Sequence, residues 1–374
     1  MQMKLISLIW VLLSINVQSQ WVPSTTIPDQ ILSLSPDGST AIGRTGIYIK
    51  AGTEWSLAQL IPPSYKLNYP SYSQLYSVAL FLSEDGSKFA ISNLSACGVY
   101  VDSSIDIYDA SLDKMSWNIS SSIYGSSLGL DGYQCLFPTT ATTDGNTLIV
   151  ISSDLYYSSD MFALIRNGSE YVFKQQFLGP TTSYPIGKES LTADGSFLSI
   201  FEGSYEYGLS PVQIFSRQSD GSYLYTENYG FVAMYSMALS SDGQLMVGAV
   251  CTNKSSGYQA HFFKRTIGRY QLMSVVDIGD GACAYDEVPS FSYFAQLPIS
   301  SDASIIFITV PNANTTYIFK QVNQTSWAQI QSLSLSLSSL SYPPSYTICS
   351  SNGSTLLTTT AVNNSFVTLA FQSN

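Results

Sequence analysis

An Asp-Gly turn between two short apolar runs recurs along the whole chain, and this repetition limits the folds open to the sequence. One copy, LSSDGQLMVG at residues 239–248, shows the pattern clearly. Asp-Gly between apolar runs is a strong hairpin signal, because Gly adopts the positive φ that the turn needs and Asp tolerates it. The copies follow one another about every 50 residues, a period typical of repeat architectures. The turns are centred on Asp37, Asp85, Asp144, Asp194, Asp242, Asp302 and Asn352.

A second hairpin follows each of the first six Asp-Gly hairpins after a connection of variable length. Its last strand opens with an aromatic residue, as in GSEYVFKQQFL and GRYQLMSVV. Each repeat therefore predicts four antiparallel strands. Four-stranded units repeated radially are the blades of a β-propeller, which leaves only short protected edges. The opening aromatics are Trp55, Trp117, Tyr171, Tyr223, Tyr270 and Trp327.

The seventh repeat is incomplete, because the chain ends after its third strand, FVTLAFQSN. The missing strand is available at the other terminus, where WVPSTTI precedes the first Asp-Gly turn. We predict that Trp21–Ile27 is the outer strand of blade seven and closes the ring. The expected fold is an all-β, seven-bladed β-propeller of four-stranded blades, closed by the N-terminal strand.

The N-terminus has the pattern of a secretory signal at residues 1–19: Lys4, an apolar run over residues 5–15, and a small-residue cleavage context. The apolar run is too short to span a bilayer. We therefore expect residues 20–374 to form one propeller domain that is secreted, either extracellular or at the cell surface. No membrane span is expected.

The charge balance bears on possible partners. Charged residues make up only 11% of the chain, and the formal net charge is −11. Nucleic acids and anionic membranes require clustered Lys and Arg. The composition therefore disfavours both as partners.

Eight Asn-x-Ser/Thr sequons occur, and in a secreted chain they are candidate glycosylation sites. A chain rich in Asn, Ser and Thr also generates sequons by chance, so the alternative of unmodified asparagines stays open. The sequons are Asn93, Asn118, Asn167, Asn253, Asn314, Asn323, Asn352 and Asn363.

The five cysteines suggest two disulfides, because secretion permits them and two pairs lie in neighbouring connections on the same side of the predicted ring. We predict that Cys97 pairs with Cys135 and that Cys251 pairs with Cys283. Cys349 is left over and is expected to be a buried, unreactive thiol.

Motifs for catalysis or metal binding are sparse. The single histidine, His261, lies in a predicted third strand and excludes multi-histidine metal sites. The fragment Gly125 to Gly129 reads G-x-S-x-G, but no helix pattern follows Ser127. A dense acidic segment fits no derivable calcium loop and is expected to be solvated. Its acidic residues are Asp277, Asp280, Asp286 and Glu287. We expect no metal, no cofactor and no enzymatic activity.

Tyrosine is unevenly placed. Seven of the 26 tyrosines fall in predicted third and fourth strands, and the others fall in or beside the connections of one face. Tyrosine with Ser, Gly and Asn is typical of recognition surfaces, although long loops also need aromatic anchors to pack. The ligand-binding candidates are Tyr72, Tyr157, Tyr205 and Tyr285. Other tyrosines assigned to this face include Tyr65, Tyr124, Tyr229, Tyr235, Tyr258 and Tyr346.

The repeat, a strand ending in S-x-D-G followed by a strand and an aromatic hairpin, resembles the integrin-alpha-like propeller repeat. The Phe-Gly, Gly-Ala-Pro pair and the D-x-D-x-D-G calcium loop of that family are missing, so no functional residue carries over. The resemblance implies an extracellular recognition or adhesion module whose partner is a protein or glycan. Two alternatives stay open: a structural component of an extracellular coat or filament, and a carbohydrate-active enzyme.

Overall fold

The computed structural model describes residues 21–62, 65, 78–93, 102–130, 134–153, 159–177, 186–202, 209–232, 234–253, 257–278, 297–310, 315–334, 346–362 and 365–373. Over these residues the chain forms seven antiparallel sheets arranged as the blades of a ring. The predicted all-β, seven-bladed propeller is confirmed. One sheet has three regular strands, and a single bridge from Ile299 to Ile306 takes the place of its innermost strand.

The strands follow the four-per-repeat pattern, from the innermost strand of each blade to the outermost. Blade one contains β2 to β5, and blade seven contains β25 to β27 together with β1. In chain order the strands are β1 Trp21–Ile27, β2 Ile31–Leu34, β3 Thr40–Gly43, β4 Gly46–Ala51, β5 Glu54–Leu60, β6 Ala79–Phe81, β7 Lys88–Asn93, β8 Ser104–Ala110, β9 Trp117–Tyr124, β10 Cys135–Ala141, β11 Thr147–Ser153, β12 Ser159–Asn167, β13 Glu170–Phe177, β14 Ile186–Leu191, β15 Phe197–Glu202, β16 Leu209–Arg217, β17 Tyr223–Val232, β18 Met234–Leu239, β19 Leu245–Asn253, β20 Gly257–Thr266, β21 Arg269–Asp277, β22 Ile305–Val310, β23 Thr315–Asn323, β24 Ser326–Ser334, β25 Tyr346–Cys349, β26 Thr355–Val362 and β27 Ser365–Ser373.

The N-terminal strand closes the ring as predicted. β1 pairs antiparallel with β27, from Trp21 opposite Ser373 to Ile27 opposite Thr368. The Trp21 ring packs edge-on against Phe307 of blade six, with the ring centroids 5.0 Å apart. Closure therefore joins the two ends of the chain by backbone pairing and by an aromatic contact with a third segment.

The core lies between the blades, where the faces of neighbouring sheets pack together. Phe262 of blade five stacks on Trp327 of blade six with 4.6 Å between ring centroids. Phe177 of blade three meets Phe215 of blade four edge-on at 5.2 Å. Aromatic pairs of this kind add to the free energy of apolar burial. Each blade thus depends on its neighbours for a dry interior.

The Asp-Gly turns have a shared hydrogen-bond pattern that explains the serine or threonine two residues before the aspartate. In blade five, Ser240 Oγ donates to Asp242 Oδ1 at 2.6 Å and accepts a bond from Leu245 N at 2.9 Å. Gln244 N also donates to Asp242 Oδ1 at 2.9 Å. Gly243 adopts a φ of 66°, the left-handed region that favours glycine. The Asp carboxylate is therefore an acceptor that holds the turn.

The turns of neighbouring blades, except those of blades two and three, also bond to one another and form a belt around one end of the ring. Ser351 N of blade seven donates to Pro36 O of blade one at 2.6 Å, and Asp37 N donates to Glu84 O of blade two at 3.0 Å. Pro36 has no N–H, so the next residue supplies the donor. Further belt bonds run from Thr143 N to Ala193 O, from Ala193 N to Ser241 O, from Ser241 Oγ to Ser301 O and from Ser301 N to Ser351 O.

The aromatic that opens the outer strand contacts the turn of its own blade. Tyr223 OH donates to Gly195 O at 2.8 Å, and Tyr270 OH donates to Gly243 O at 2.6 Å. Blades two and three do the same through Trp117 Nε1 and Tyr171 OH. The two sequence signatures, turn and aromatic, are therefore parts of one bonded unit in these four blades.

All seven outer strands carry a β-bulge at the same register, just after the opening aromatic. In three blades a glutamine side chain then bridges to the next blade. Gln331 Oε1 accepts from Trp21 N at 2.9 Å, and Gln331 Nε2 donates to Trp21 O at 3.2 Å. Gln59 and Gln175 bind the backbone of Trp117 and Tyr223 in the same way. Bulges and capped backbone groups protect edge strands from further pairing.

Candidate functional site: the loop face

The two ends of the ring differ in how their connections are built. We call the end with the Asp-Gly turns and the third-to-fourth-strand turns the turn face. The other end, the loop face, consists of connections between second and third strands and between blades. The loop-face connections span residues 28–30, 44–45, 61–78, 94–103, 125–134, 154–158, 178–185, 203–208, 233, 254–256, 278–298, 311–314, 335–345 and 363–364.

Charged groups on the turn face are largely engaged within the protein. Lys50 Nζ donates to Thr355 Oγ1 of the neighbouring blade at 2.9 Å. The Arg265 guanidinium lies 3.6 Å above the Phe197 ring, a cation-π contact across a blade boundary. Lys88 lies 2.8 Å from Asp109. Lys50 and Arg265 hold neighbouring blades together, and the Lys88–Asp109 pair joins two strands of blade two. The loop face is therefore the better candidate for binding.

At blade one the loop face contains a buried carboxylate. Asp29 accepts hydrogen bonds from Gln30 N at 2.8 Å, from Thr45 N at 3.0 Å and Oγ1 at 2.8 Å, and from Tyr48 OH at 3.1 Å. Burial, reinforced by the negative charge of Asp29, raises the pKa of Tyr48 to about 12. Burial lowers the pKa of Arg44, and Asp29 opposes that shift. Asp29 therefore fixes two short connections to each other.

A second buried network anchors the start of the connection between blades one and two. Tyr65 OH donates to Asp106 Oδ2 at 2.8 Å and lies 2.5 Å from Tyr108 OH, which donates to it. Ser122 Oγ donates to the other carboxylate oxygen at 2.6 Å. Burial and the hydrogen bonds with Tyr108 and Asp106 raise the pKa of Tyr65 well above its usual range. Tyr65 thus serves as an anchor, with its ring only 4% exposed.

The G-x-S-x-G fragment lies after blade two and is a short 3₁₀ helix, Gly125–Leu128, not a strand-to-α-helix elbow. Ser127 Oγ donates to Tyr124 O at 2.6 Å. Ser126 N donates to Asp102 Oδ1 at 2.8 Å, and Ser126 Oγ bonds to Asp102 Oδ2. The only histidine of the chain is in blade five. The fragment is therefore a turn held by Asp102.

His261 lies in the third strand of blade five, as expected. It is half-buried, its Nε2 lies 3.2 Å from Gln259 Oε1, and burial lowers its pKa. Gln259 Nε2 in turn donates to Asp277 Oδ1 at 2.8 Å. Asp277 is the one acidic candidate within the described residues, and Asp280, Asp286 and Glu287 lie outside them. No cluster of three or more metal-ligating side chains occurs in the part of the chain that the structure describes.

The described charges of the loop face are mostly negative. Four carboxylates, those of Asp29, Asp102, Asp160 and Asp277, lie in or next to its connections, together with one described cation, Arg44. Described cations such as Lys50, Arg217 and Arg265 lie instead where third strands end at the turn face.

The four named tyrosine candidates, Tyr72, Tyr157, Tyr205 and Tyr285, lie outside the described residues. Several other tyrosines assigned to this side of the ring lie in strands beside the connections. Tyr229, Tyr235, Tyr258 and Tyr346 lie in strands β17, β18, β20 and β25. Tyr258 is buried, because a strand residue pointing between blades fills the core, whereas Tyr124 at the end of β9 is 50% exposed. Some tyrosines on this side of the ring are therefore packed in the core, and others are exposed on the surface.

Of the five cysteines, Cys135, Cys251 and Cys349 lie within the described residues. Cys135 is buried at the start of β10 and is not a free thiol. Cys97 lies outside the described residues, as does Cys283, while Cys251 is in β19. Both predicted pairs therefore stay predictions. Cys349 is free, packs against the apolar cluster between blades six and seven, and burial raises its thiol pKa to about 12.

The sequons divide between the two faces. Asn118 on the outer strand β9, Asn167 and Asn323 at third-to-fourth-strand turns, and Asn352 in an Asp-Gly-type turn are exposed. Asn93 and Asn253 end second strands at the loop face. Asn314 and Asn363 lie outside the described residues. Occupancy of all eight stays a prediction.

The inter-blade glutamines were missed from the sequence, although a signal exists. Gln59, Gln175 and Gln331 each follow the aromatic of the outer strand by four residues. Their function in the ring depends on the bulge, which brings the side chain to the neighbouring strand edge. The repeated spacing could have drawn attention to them.

No protein-family model matches the chain, and no curated protein matches it significantly. No helix of the described residues is long and apolar enough to cross a membrane.

Solved structures do resemble the fold. A chain of the mitotic checkpoint complex matches with a TM-score of 0.59 at 14% identity, covering 96% of this chain and 94% of that one. The Swd1 β-propeller domain of Myceliophteria thermophila matches with a TM-score of 0.56 at 9% identity, covering 95% and 100%. A periplasmic gluconolactonase of Pseudomonas aeruginosa matches with a TM-score of 0.51 at 12% identity, covering 82% and 85%.

The expectation that the protein is not an enzyme is wrong. The similar structures include the gluconolactonase, a propeller enzyme, as well as two proteins described as a "putative 6-phosphogluconolactonase". A single histidine and missing motifs therefore do not rule out catalysis for this fold. At these identities the likeness shows the fold alone: the chain is a seven-bladed β-propeller.

Proposed function

We propose that the protein is a secreted glycoprotein propeller that recognises an extracellular protein or glycan through its loop face. The resemblance to integrin-alpha-like repeats belongs to this proposal and not to the established fold. The observation that carries it is the contrast between the faces. Turn-face charges and turn backbones are engaged in bonds within and between blades, whereas the loop-face connections vary in length and sequence from blade to blade. Binding residues are typically found on such variable loops, held by a rigid scaffold.

The chemistry of the described loop face points to a neutral or basic partner. Its carboxylates outnumber its one described cation, Arg44. Uncharged sugars and basic protein patches suit this surface better than sulfated or phosphorylated polymers do. The sequence adds tyrosines to its connections, whose rings provide contact area at low entropic cost.

The test is direct binding by the chain secreted from eukaryotic cells and lacking residues 1–19. The protein is applied to a glycan array and to a panel of surface proteins. Alanine variants of Tyr72, Tyr157, Tyr205 and Tyr285 are compared with Tyr225→Ala, a half-exposed ring on the outer strand β17. We expect a few loop-face variants to weaken binding by about 1 to 4 kcal/mol with unchanged melting, and the control to bind normally.

Two results would contradict the proposal. Binding that Tyr225→Ala weakens as much as the loop-face variants would remove the loop face as the site. Concentration-dependent growth of assemblies with no ligand bound would favour a coat or filament component instead.

A further inference from the structure

The outer strands of the blades differ in how their free edges are covered. In blades two, four and seven, a glutamine of the preceding blade binds the backbone of the opening aromatic. In blade five, Tyr229 OH accepts from Tyr270 N at 2.7 Å. Among the residues that the structure describes, no cross-blade bond of this kind reaches the backbone of Trp55 in blade one, Tyr171 in blade three or Trp327 in blade six. Blade one has instead a side-chain bond from its neighbour, Thr25 Oγ1 to Glu54 Oε2 at 3.5 Å. Uncovered strand edges invite pairing with other chains.

Blades three and six, but not blade one, carry a sequon at the turn that leads into this strand. Asn167 pairs with Glu170, the residue before Tyr171, and Asn323 pairs with Ser326, the residue before Trp327. Both asparagines are exposed. A Cβ added at Gly168, next to Asn167, would meet nothing within 4 Å, so this turn stands clear of the rest of the protein.

The Asn323 side chain is held with its amide nitrogen available. Asn323 Oδ1 accepts from Thr325 N at 2.9 Å and from Thr325 Oγ1 at 3.1 Å. Thr325 is the hydroxyl residue of the sequon itself. These bonds use the amide oxygen only, which leaves Nδ2 on the other side of the planar group.

The sequon at Asn352 provides a contrast. Its Oδ1 accepts from Ser350 Oγ at 2.7 Å and from Ser354 N at 2.9 Å, so the side chain replaces the turn-holding aspartate of the other blades. The neighbouring Gly353 is crowded, because a Cβ there would lie 3.1 Å from Ser300 of blade six. A bulky group at this turn would stand over the belt of bonds between blades.

We infer that Asn167 and Asn323 carry N-linked glycans that cover the outer edges of blades three and six, while Asn352 stays unmodified. In this modification Nδ2 attacks C1 of an oligosaccharide carried on a polyprenyl pyrophosphate. The N–C1 bond forms, the C1–O bond to phosphate breaks, the lipid pyrophosphate leaves with the electron pair, and one amide proton passes to the transferase. The inference rests on the secretion included in the proposed function.

The first experiment maps occupancy on the chain secreted from eukaryotic cells. Glycans are removed enzymatically in ¹⁸O-labelled water, which marks each formerly modified asparagine as labelled aspartate for peptide mass spectrometry. We expect label at Asn167 and Asn323 and none at Asn352. The matched control N352D removes that sequon and installs the aspartate of the other turns, and it is expected to leave gel mobility unchanged.

The second experiment asks what the glycans do. The double variant N167Q/N323Q is compared with wild type and with N352D by light scattering over a range of concentrations. We expect self-association of the double variant only, and the same from S169A/T325A, which keeps both asparagines but destroys both sequons.

Secretion with Asn167 or Asn323 unmodified, or a double variant as monodisperse as wild type, would overturn this inference alone. Retention of the chain inside the cell with an uncleaved N-terminus would overturn the proposed extracellular location and this inference together.

Discussion

The turn face and the loop face are built on different principles, although the same strands connect them. On the turn face a single arrangement of serine or threonine, aspartate or asparagine and, in six of the seven blades, glycine recurs around the ring, and neighbouring copies bond to one another. On the loop face each described network is unique: Asp29 with Tyr48, Asp106 with Tyr65, and Asp102 with Ser126. Repetition at one end makes the ring, and variation at the other end is free to serve binding.

The largest expected effect comes from opening the ring itself. Deleting residues 21–27 leaves β27 unpaired and exposes Phe307, so we expect aggregation or a melting temperature lower by about 10 °C or more. The control begins at residue 21, so it also lacks the first 20 residues but keeps β1. Equal melting of the two proteins, measured by circular dichroism, would contradict closure by β1.

A turn-face glycine tests how closely the belt is packed. Gly145→Ala combines a φ of 64° with a Cβ that would lie 2.4 Å from the Leu82 carbonyl oxygen of blade two. We expect a loss of about 3 kcal/mol or more in the free energy of unfolding. The control Gly168→Ala has a similar φ of 67° and open surroundings, so it should lose only about 1 kcal/mol. Equal losses in denaturant unfolding would show that the belt tolerates movement.

The glutamine bridge provides a test of the bonds between outer strands. Gln331→Ala removes both hydrogen bonds to the Trp21 backbone, and we expect a loss of about 1 to 3 kcal/mol. Gln329→Ala, an exposed position two residues earlier on the same strand, serves as the control and should change stability by less than about 0.5 kcal/mol. If the two variants unfold at the same denaturant concentration, the bridge contributes nothing to closure.

The smallest expected effect is on the melting temperature at acidic pH. Burial alone would raise the pKa of Asp194, but hydrogen bonds from Ser196 and Thr192 outweigh it and lower the pKa. The pKa values of Asp85, Asp144 and Asp302 are lowered in the same way. A carboxyl whose folded pKa is depressed stabilises the fold above its unfolded pKa, and this stability is lost as pH falls through the folded value.

Melting should therefore be constant near neutrality and fall below about pH 4. Asp194→Asn keeps an acceptor, as Asn352 does naturally, so we expect a loss of about 1 kcal/mol at neutral pH and a shallower decline in acid. Parallel melting curves of wild type and variant from neutral pH to about pH 2 would contradict a role for this ionisation.

Much of the fold could be predicted because its signals are local. The Asp-Gly hairpins need only residues adjacent in sequence, and the aromatic that opens each outer strand lies at a regular place in the repeat. Even the closing strand was identifiable, since one blade lacked a strand and WVPSTTI was unassigned. The site could not be predicted as well. Tyr65 contacts Asp106 and Tyr108 of the neighbouring blade, and the spacing of these residues in the sequence does not predict that contact.

Tyrosine shows the same limit from another side. Tyr229 and Tyr258 were placed in or beside connections because loops rich in tyrosine resemble binding surfaces, and β17 and β20 extend far enough to include both as strand residues. Strand length in a propeller depends on how far the neighbouring blades continue to cover each face. This is a property of pairs of blades and not of one segment.

The sequence by itself determined the number of blades, the turn that starts each of them and the strand that closes the ring, because hairpin chemistry acts over a few residues. Only the tertiary structure decided which groups join the blades. Gln331 reaches Trp21 across most of the chain length, and Ser351 reaches Pro36 at the same closure. Such bonds exist only after the ring has brought distant segments together. The identity of a side chain does not indicate which distant backbone group it will contact.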